Sequence, residues 1–393
     1  MNKIIPSERS KNVKYAIRDI GIAAKKVEKT KKVIWLNVGD PNKFDFDTPL
    51  ELKNAVYDAM KKGHNYYCES SGIKEALEAI AKHNNKLGIE CTEDDVVITL
   101  GVSEAVDICV GALLNRDENM LIPAPSYPVY GSYMDLYEVG KNFYVLDEEN
   151  GWDLNIDEIE KKINKKTKAI VIINPNNPTG GLYDKKTLKD LVNLAGQHNL
   201  LIISDEIYDE MLLEGEMHHI AAFSNEVPVI TYNGLSKNFL APGWRVGWLA
   251  ITDRIDVLSE YRQAILQLTR ARLCGVTPEQ FAIKVALEGN RLHQKETIEK
   301  LRKRCELSYK RINEIEGLSL VKPKAAFYAF PRINFPVDDK EFVIKLLEET
   351  GVATVYGSGF DMPGHFRFVF LPTEAILNEA FDKIESFVNK WKK

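Results

Sequence analysis

The chain has 393 residues, and a chain of this length usually divides into two or more domains. Its hydrophobic fraction of 45% and charged fraction of 28% are those of an ordinary globular protein, and its formal net charge is −5. There is thus no basic excess to attract nucleic acid or an anionic membrane, and we exclude both as partners.

No targeting segment, membrane span or metal motif is recognisable along the chain. The first residues, MNKIIPSERSKN, contain no apolar h-region, and apolar runs such as residues 169–173 are far shorter than the ~20 residues of a membrane span. Five scattered cysteines without a CxxC pattern predict reduced thiols in a cytoplasmic enzyme. His218 and His219 lack neighbours with ligand spacing, so we expect a solvent-facing loop pair and no metal site.

The N-terminal residues, up to about Trp35, are too few to fold alone, and we expect them to pack on a second domain or on a partner subunit. Beyond them, apolar runs rich in valine and isoleucine alternate with helical patterns at residues 103–114 and 184–198, the latter beginning with a capping Asp184. This alternation predicts an α/β fold with a mainly parallel sheet covered by helices. The seven predicted strands are residues 96–100, 120–123, 143–146, 169–173, 200–204, 227–232 and 246–251.

From about residue 278 the pattern changes to that of a smaller α+β domain. A long charged helix is predicted at residues 292–315, a shorter one at residues 339–349, and a last helix closes the chain. The predicted strands of this part are residues 318–322, 327–333, 352–355 and 366–371.

Polar residues follow four strands of the predicted parallel sheet, at the edge where such sheets bind their ligands. They supply a glycine–serine turn, an amide, a carboxylate, a phenol, a lysine and an arginine, which together suit an anionic phosphate and a heteroaromatic ring. In chain order these residues are Gly101, Val102, Ser103, Asn177, Asp205, Tyr208, Lys237 and Arg245.

Taken singly, each of these residues also has an ordinary structural interpretation. Residues 101–103 are a common kind of helix start, and the proline and glycine around Asn177 explain a turn by themselves. Asp205 can cap a helix, and Lys237 is one of many lysines, most of which are solvated. Arg245 can be a buried structural guanidinium. Only their joint arrangement favours a functional site.

Residues 234–247, which read GLSKNFLAPGWRVG, resemble the pyridoxal 5′-phosphate (PLP) attachment signature of class I and II aminotransferases. NPNNPTG at residues 174–180 and DEIY at residues 205–208 precede it in the family's order, and the resemblance extends over nearly the whole chain. It implies PLP fold type I, with a seven-stranded sheet sandwiched by helices, and a homodimer whose active sites are shared between subunits. The implied segments are an N-terminal arm with part of the small domain (1–40), a large PLP-binding domain (41–288) and a small C-terminal domain (289–393).

The resemblance implies a Schiff base between PLP and Lys237, whose amine must lose its proton far below the ~10.4 of a free lysine. A dry site and a neighbouring cation achieve this. Asp205 is expected to pair with the pyridine nitrogen and keep it protonated, so that the ring accepts electrons. Asn177 and Tyr208 are expected to hydrogen-bond the 3′-oxygen of the ring. Tyr127 is expected to stack on its face, although it can also be a core tyrosine.

The phosphate group is expected at the turn of residues 101–103, with Ser236 and Arg245 beside it. Tyr67 matches the family's spacing for a residue that reaches the phosphate from the other subunit. The family often has a serine three residues before the lysine, where this chain has Gly234. For that reason we assign the phosphate contact to Ser236.

For the substrate, Arg367 resembles the family's anchor for the α-carboxylate, because a planar guanidinium binds a carboxylate through two hydrogen bonds. The alternative is an edge-strand arginine in solvent. Gly39 and Asn177 are also expected to contact the carboxylate. The implied reaction is a two-stage amino transfer, in which one amino acid loses its amino group before a second 2-oxo acid receives it.

Residues 13–19, 40–47 and 272–274 resemble microbial alanine aminotransferases. The resemblance implies that Tyr15 closes the pocket over a methyl group and that Arg18 holds the distal carboxylate of glutamate or 2-oxoglutarate. The expected reaction is alanine plus 2-oxoglutarate giving pyruvate plus glutamate. The alternative for Tyr15 and Arg18 is that they only dock the N-terminal arm, and Arg272 is a further candidate for the distal carboxylate.

Other functions stay open at this point. An aspartate or broad-specificity aminotransferase is the first alternative, and a PLP-dependent β-eliminating lyase would use the same lysine and aspartate. A ligand-sensing regulator with this kind of domain usually carries a basic DNA-binding module, and we find no helix-turn-helix segment ahead of the domain.

Overall fold

Fourteen strands form four sheets in the computed structural model, which describes residues 3–391. In chain order they are β1 (Ile34–Trp35), β2 (Val96–Leu100), β3 (Asn119–Ala124), β4 (Gly140–Val145), β5 (Thr167–Ile173), β6 (Leu201–Asp205), β7 (Val229–Gly234), β8 (Val246–Thr252), β9 (Leu318–Ser319), β10 (Tyr328–Ala329), β11 (Arg332–Ile333), β12 (Val352–Ala353), β13 (Val355–Tyr356) and β14 (Phe366–Val369).

The largest sheet has seven strands in the order β2-β8-β7-β6-β5-β3-β4. Only β8 runs antiparallel to its two neighbours. All seven predicted strands are present, and the largest shift is at β4, which begins at Gly140 instead of residue 143. The central strands are buried on both faces, as their valine and isoleucine content predicts. The mainly parallel seven-stranded sheet is therefore confirmed.

Thirteen α-helices accompany the strands in the described part of the chain. They are α1 (Glu8–Asn12), α2 (Ala16–Val27), α3 (Leu50–Lys61), α4 (Lys74–Lys86), α5 (Val102–Leu113), α6 (Val129–Tyr137), α7 (Ile156–Lys162), α8 (Lys185–Gln197), α9 (Ser259–Ala271), α10 (Thr277–Glu288), α11 (Leu292–Glu314), α12 (Asp339–Thr350) and α13 (Glu374–Trp391).

The predicted helices 103–114, 184–198, 292–315 and 339–349 correspond to α5, α8, α11 and α12. Asp184 caps α8 as predicted, since its Oδ1 accepts a hydrogen bond from the Thr187 amide at 2.8 Å. None of the helices within residues 3–391 is long and apolar enough to cross a membrane. All five cysteines are free thiols.

The predicted strands of the C-terminal part are shorter and more broken than expected. The predicted strand 327–333 divides into β10 and β11, because the intervening Pro331 has no amide hydrogen to donate. The predicted strand 352–355 divides into β12 and β13, which pair with different strands. The predicted strand 318–322 ends at Ser319, because the next amide, of Leu320, donates to the Asn313 side chain instead.

The N-terminal segment packs against the C-terminal part of the chain. β1 pairs in parallel with β12, with Ile34 opposite Val352. Ile20 and Ala24 of α2 lie in the same hydrophobic cluster as residues of α12 and α13. This is one of the two locations that the sequence predicted for the arm. The domain boundaries at residues 40 and 288 stay a prediction.

Candidate active site

A cleft of about 910 Å³ lies at the carboxyl ends of β5, β6 and β7, the edge at which the sequence predicted a site. Loops that follow these strands and residues from both ends of the chain line it. Of the predicted site residues, Gly101, Tyr67 and the further candidate Arg272 are missing from the lining. Those present are Tyr15, Arg18, Gly39, Val102, Ser103, Tyr127, Asn177, Asp205, Tyr208, Ser236, Lys237, Arg245 and Arg367.

Lys237 follows β7 and points its amine into the cleft. Its Nζ donates a hydrogen bond to the Gly39 carbonyl at 2.8 Å and lies 5.4 Å from the centre of the Phe327 ring. Burial lowers the pKa of Lys237 to about 8, with help from the cations Arg367 and Arg245. The side chain is therefore a far stronger nucleophile near neutral pH than an ordinary lysine.

Asp205 is the last residue of β6 and is 2% exposed. Its Oδ2 accepts a hydrogen bond from the Tyr130 hydroxyl at 3.1 Å, and its Oδ1 accepts one from the Ile207 amide at 3.3 Å. Burial raises the pKa of Asp205 to about 7, because both hydrogen-bond donors are neutral and compensate only in part. A cationic ring nitrogen beside Asp205 would supply the missing charge.

Tyr130 contacts Asp205 but was not among the residues that the sequence predicted. It lies in the first turn of α6, and Tyr127 lies just before that helix. The neighbouring Tyr127 was the available signal, but nothing in the sequence indicated that the Tyr130 hydroxyl would reach Asp205.

Arg367 lies on β14 and is 1% exposed, which rules out the solvent-exposed alternative. Its Nη1 donates to the Asn177 Oδ1 at 3.1 Å and its Nη2 to the Asn37 carbonyl at 2.6 Å. Its Cζ lies 4.6 Å from the ring centre of Tyr328 and 4.7 Å from that of Phe360. The buried Nε has no hydrogen-bond partner within residues 3–391, so the guanidinium retains a donor for a ligand.

An anion cradle lies where β2 passes into α5. Gly101 has a φ of +73° immediately before the helix, so the first amides of α5 are free to face a ligand. Arg245 lies beside it and donates to the carbonyls of Leu100 and Pro242, both at 3.1 Å. Carbonyl oxygens do not neutralise a guanidinium, and Arg245 is exposed rather than buried. It is therefore available to a phosphate, together with Ser236.

Gly234 replaces the family's serine because there is no room for a side chain. A Cβ at this position would lie 2.7 Å from the Val246 carbonyl and 2.9 Å from the Gly247 Cα, since β7 and β8 pair here glycine against glycine. A Cβ on Gly247 would in turn lie 2.6 Å from the Gly101 carbonyl carbon. Because Gly101, Gly234 and Gly247 have no side chains, the turn of residues 101–103 packs directly on the backbone of β8.

Two predicted side chains lie outside the cleft of their own chain. Tyr67 is 79% exposed, and its contact with the phosphate of another subunit stays a prediction. Arg272 donates to the Ile98 carbonyl and forms an ion pair with Glu104 at 3.2 Å, outside the lining of the cleft. The structure does not bring Arg272 to the site as a ligand for a distal carboxylate.

The N-terminal arm contributes Tyr15 and Arg18 to the mouth of the cleft. The hydroxyl groups of Tyr15 and Tyr127 are 2.7 Å apart, and the two rings meet edge to face. Burial raises the pKa of Tyr15, so the phenol remains neutral. The Arg18 side chain has no hydrogen-bond or ion-pair partner among residues 3–391 and is free to bind an anion.

The expectation that both His218 and His219 face solvent is wrong for His219, whose side chain is only 13% exposed. Its Nδ1 lies 2.6 Å from the Glu206 Oε2. Burial disfavours the charged ring, but Glu206 outweighs it and raises the pKa of His219 to about 9. Glu206, Asp209 and His219 have a geometry that could hold a metal ion, yet their mutual charges and hydrogen bonds explain the group, and the absence of a metal stays a prediction.

Comparison with known proteins gives consistent results. The profile described as Aminotransferase class I and II matches residues 31–384. Glutamate-pyruvate aminotransferase AlaA of Haemophilus influenzae is 37% identical over 375 residues, which cover 93% of each chain. The solved alanine aminotransferase from Pyrococcus furiosus has a TM-score of 0.96 at 47% identity, covering 98% of this chain and 100% of that one. An aspartate aminotransferase double mutant of Thermus thermophilus has a TM-score of 0.90 at 28% identity, with the same coverage.

Proposed function

Because this chain belongs to the class I and II aminotransferases, we propose that it binds PLP in the cleft and transfers the amino group of alanine to 2-oxoglutarate, giving pyruvate and glutamate. The chain is an aminotransferase of fold type I, which acts on amino acids and 2-oxo acids. The observation that carries the proposal is the pairing, in one cleft, of a lysine with a lowered pKa and a buried carboxylate that lacks a counter-charge.

The residues of the cleft fit PLP at each of its polar groups. Asp205 would hold the ring nitrogen as a cation, and Asn177 and Tyr208 would hydrogen-bond the ring oxygen. Tyr127 would lie against the ring face. The dianionic phosphate suits the amides at residues 101–103, Ser236 and Arg245. When bound, the cofactor supplies an aldehyde for the amine of Lys237 and a ring that accepts electrons.

Lys237 has a second role once a substrate is present. Its released Nζ is the base that takes the proton from the substrate's α-carbon and the acid that returns it, which requires a pKa near the working pH. Arg367 binds the α-carboxylate and fixes the orientation of the α-carbon, and Asn177 supports it with a hydrogen bond to Nη1. Tyr15 and Tyr127 cover the cleft and exclude water.

Alanine is supported by the activities of the relatives and by the residues at the mouth of the cleft. Tyr15 is bulky and leaves room only for a small substrate side chain. The side chain of Arg18, which has no partner among residues 3–391, can pair with the distal carboxylate of 2-oxoglutarate. An aspartate or broad-specificity aminotransferase is the alternative, because Arg18 could also hold the side chain of aspartate. A β-eliminating lyase is remoter, since it would need a leaving group on the substrate.

We further propose that the enzyme is a cytoplasmic homodimer whose subunits share their active sites. Tyr67 is exposed in its own chain and would contact the phosphate bound to the partner. Two other large side chains are exposed near it, as expected of a surface that a partner covers. The adjacent Tyr66 is 56% exposed, and Leu273, whose carbonyl accepts a hydrogen bond from Ser70, is 52% exposed.

The test is a set of single-substrate half-reactions, read from the visible absorbance of the purified holoenzyme. Each amino acid is mixed with the enzyme alone, so that only the first stage can occur. Rapid spectral conversion with alanine and with glutamate, and slow conversion with aspartate, is the expected result. Conversion by aspartate alone would refute alanine as substrate. Lys237→Ala is the control and should show no conversion.

A further inference from the structure

Tyr328 is a cleft residue to which neither the sequence nor the proposed function gives a role. It lies on β10 opposite Val369 of β14, and Arg367 is two residues before Val369 on the same face. A diagonal neighbour of this kind is within reach of a long side chain. The Tyr328 ring accordingly lies against the Arg367 guanidinium, and Tyr328 is 2% exposed.

The Tyr328 hydroxyl contacts the Tyr208 hydroxyl. The two phenol oxygens are 2.8 Å apart, and the rings meet edge to face with centres 5.7 Å apart. Gly39 makes this position accessible, because a Cβ on residue 39 would collide with the Tyr328 hydroxyl. Tyr328 thus contacts both Arg367, the proposed carboxylate anchor, and Tyr208, the phenol expected at the ring oxygen of PLP.

We propose that Tyr328 is a positioning residue that donates its hydroxyl hydrogen to the Tyr208 oxygen. A phenol oxygen accepts while its own hydrogen donates, so Tyr208 keeps its hydrogen for the ring oxygen of PLP. Each hydrogen bond in such a chain polarises the next, which makes Tyr208 a stronger donor. This inference rests on the proposed PLP site. The other ionisable groups that face Tyr208 are Tyr127, Asp205, Lys237 and Arg367.

The test is a pH titration of the visible absorbance of the holoenzyme, which reports the pKa of the linkage between Lys237 and PLP. A hydrogen bond to the ring oxygen stabilises the deprotonated form of this group, in which the oxygen carries negative charge. Tyr328→Phe should therefore raise this pKa, with an acid dissociation constant roughly threefold to tenfold lower. Tyr208→Phe should raise the pKa further.

The double variant distinguishes an effect through Tyr208 from a direct effect on PLP. If Tyr328 acts through Tyr208, Tyr328→Phe causes no further change in the Tyr208→Phe background. An additive shift in the double variant, or an unchanged pKa in the Tyr328→Phe single variant, overturns the inference. Phenylalanine keeps the ring against Arg367, so we expect the variant to fold and its KM for alanine to change less than its kcat.

Tyr144→Phe is the matched control. Tyr144 is buried and donates to the Val171 carbonyl at 2.7 Å, so the substitution removes a buried phenol hydroxyl that does not line the cleft. Its spectral pKa should equal that of the wild type. A protein without any visible band after addition of PLP would refute the proposed function, whereas a normal band with an unshifted Tyr328→Phe variant refutes only the role of Tyr328.

Discussion

The pKa values of Lys237 and Asp205 are shifted in opposite directions by the same physical cause, which is burial. Burial disfavours charge, so it lowers the pKa of the amine to about 8 and raises that of the carboxyl to about 7. Between pH 7 and pH 8 each group is therefore only partly ionised in the absence of a ligand. A cationic ring nitrogen would restore the charge of Asp205, and the neutral amine of Lys237 is the form that would attack an aldehyde.

The lowered pKa of Lys237 predicts how fast the apoprotein takes up PLP at each pH. Only the neutral amine reacts, so the rate of covalent attachment should rise about tenfold per pH unit well below pH 8 and level off above it. Stopped-flow absorbance on cofactor-free protein measures this rate. A rate that continues to rise to pH 10 would mean that the amine has an ordinary pKa.

Asp205→Asn should leave PLP attached but reduce kcat by roughly 10²–10³-fold, because a neutral amide does not stabilise the cationic ring nitrogen. Steady-state kinetics with alanine and 2-oxoglutarate measure the loss. Asp205→Glu, which keeps the charge at a changed distance, should lose less. Equal losses in the two variants would contradict the electrostatic role.

Gly234→Ser should destabilise the protein, because its Cβ would press against the Val246 carbonyl and the backbone of Gly247. We expect a loss of about 1–3 kcal/mol in the free energy of unfolding, the usual range for overpacking. Gly243→Ala is the control, since nothing lies within 4 Å of a Cβ there. Urea unfolding measures the stability of both variants. Equal unfolding midpoints for the two would contradict this account.

At the scale of secondary structure, the central sheet was predictable and the small strands were not. The buried strands β5 and β6 have apolar runs bounded by turn residues, a local signal. β10 to β13 are only two residues long, and their pairing depends on partners far away in the chain. The sequence predicted Lys237 and Arg367 because both lie in recognisable motifs. It did not predict Tyr130 and Tyr328, because their contacts are with elements that are distant in the chain.

The loop that follows β6 is held by the ion pair of His219 and Glu206, which gives stability a pH dependence. The folded pKa of His219, about 9, is higher than the 6.5 of an unfolded histidine. The stabilisation of the folded state by this ion pair is therefore fully present below pH 6.5 and is lost as pH rises through 9. His219→Gln should cost roughly 2–3 kcal/mol at pH 6 and much less at pH 9.5, measured by urea unfolding. His218→Gln is the control, and equal costs at both pH values would contradict the ion pair.

At the scale of the whole molecule, the proposed dimer would complete each site with Tyr67 of a second chain. Tyr67→Phe should weaken PLP binding about tenfold, since it removes one hydrogen bond to a charged phosphate. Equilibrium dialysis of PLP measures the dissociation constant. Tyr66→Phe, which removes the hydroxyl of the adjacent exposed tyrosine, should have no such effect. Equal effects would argue against Tyr67 as the phosphate ligand.

The hydrogen bond from Arg367 to the Asn37 carbonyl joins residues that are 330 positions apart in the chain. During synthesis the arm and β1 leave the ribosome first, but β12 and β14 emerge only near the end of translation. The early segment must therefore wait, with Ile34 and Leu36 uncovered, until almost the entire polypeptide has been made. A prematurely terminated product would contain Lys237 without Arg367, the residue proposed to bind the carboxylate of the substrate.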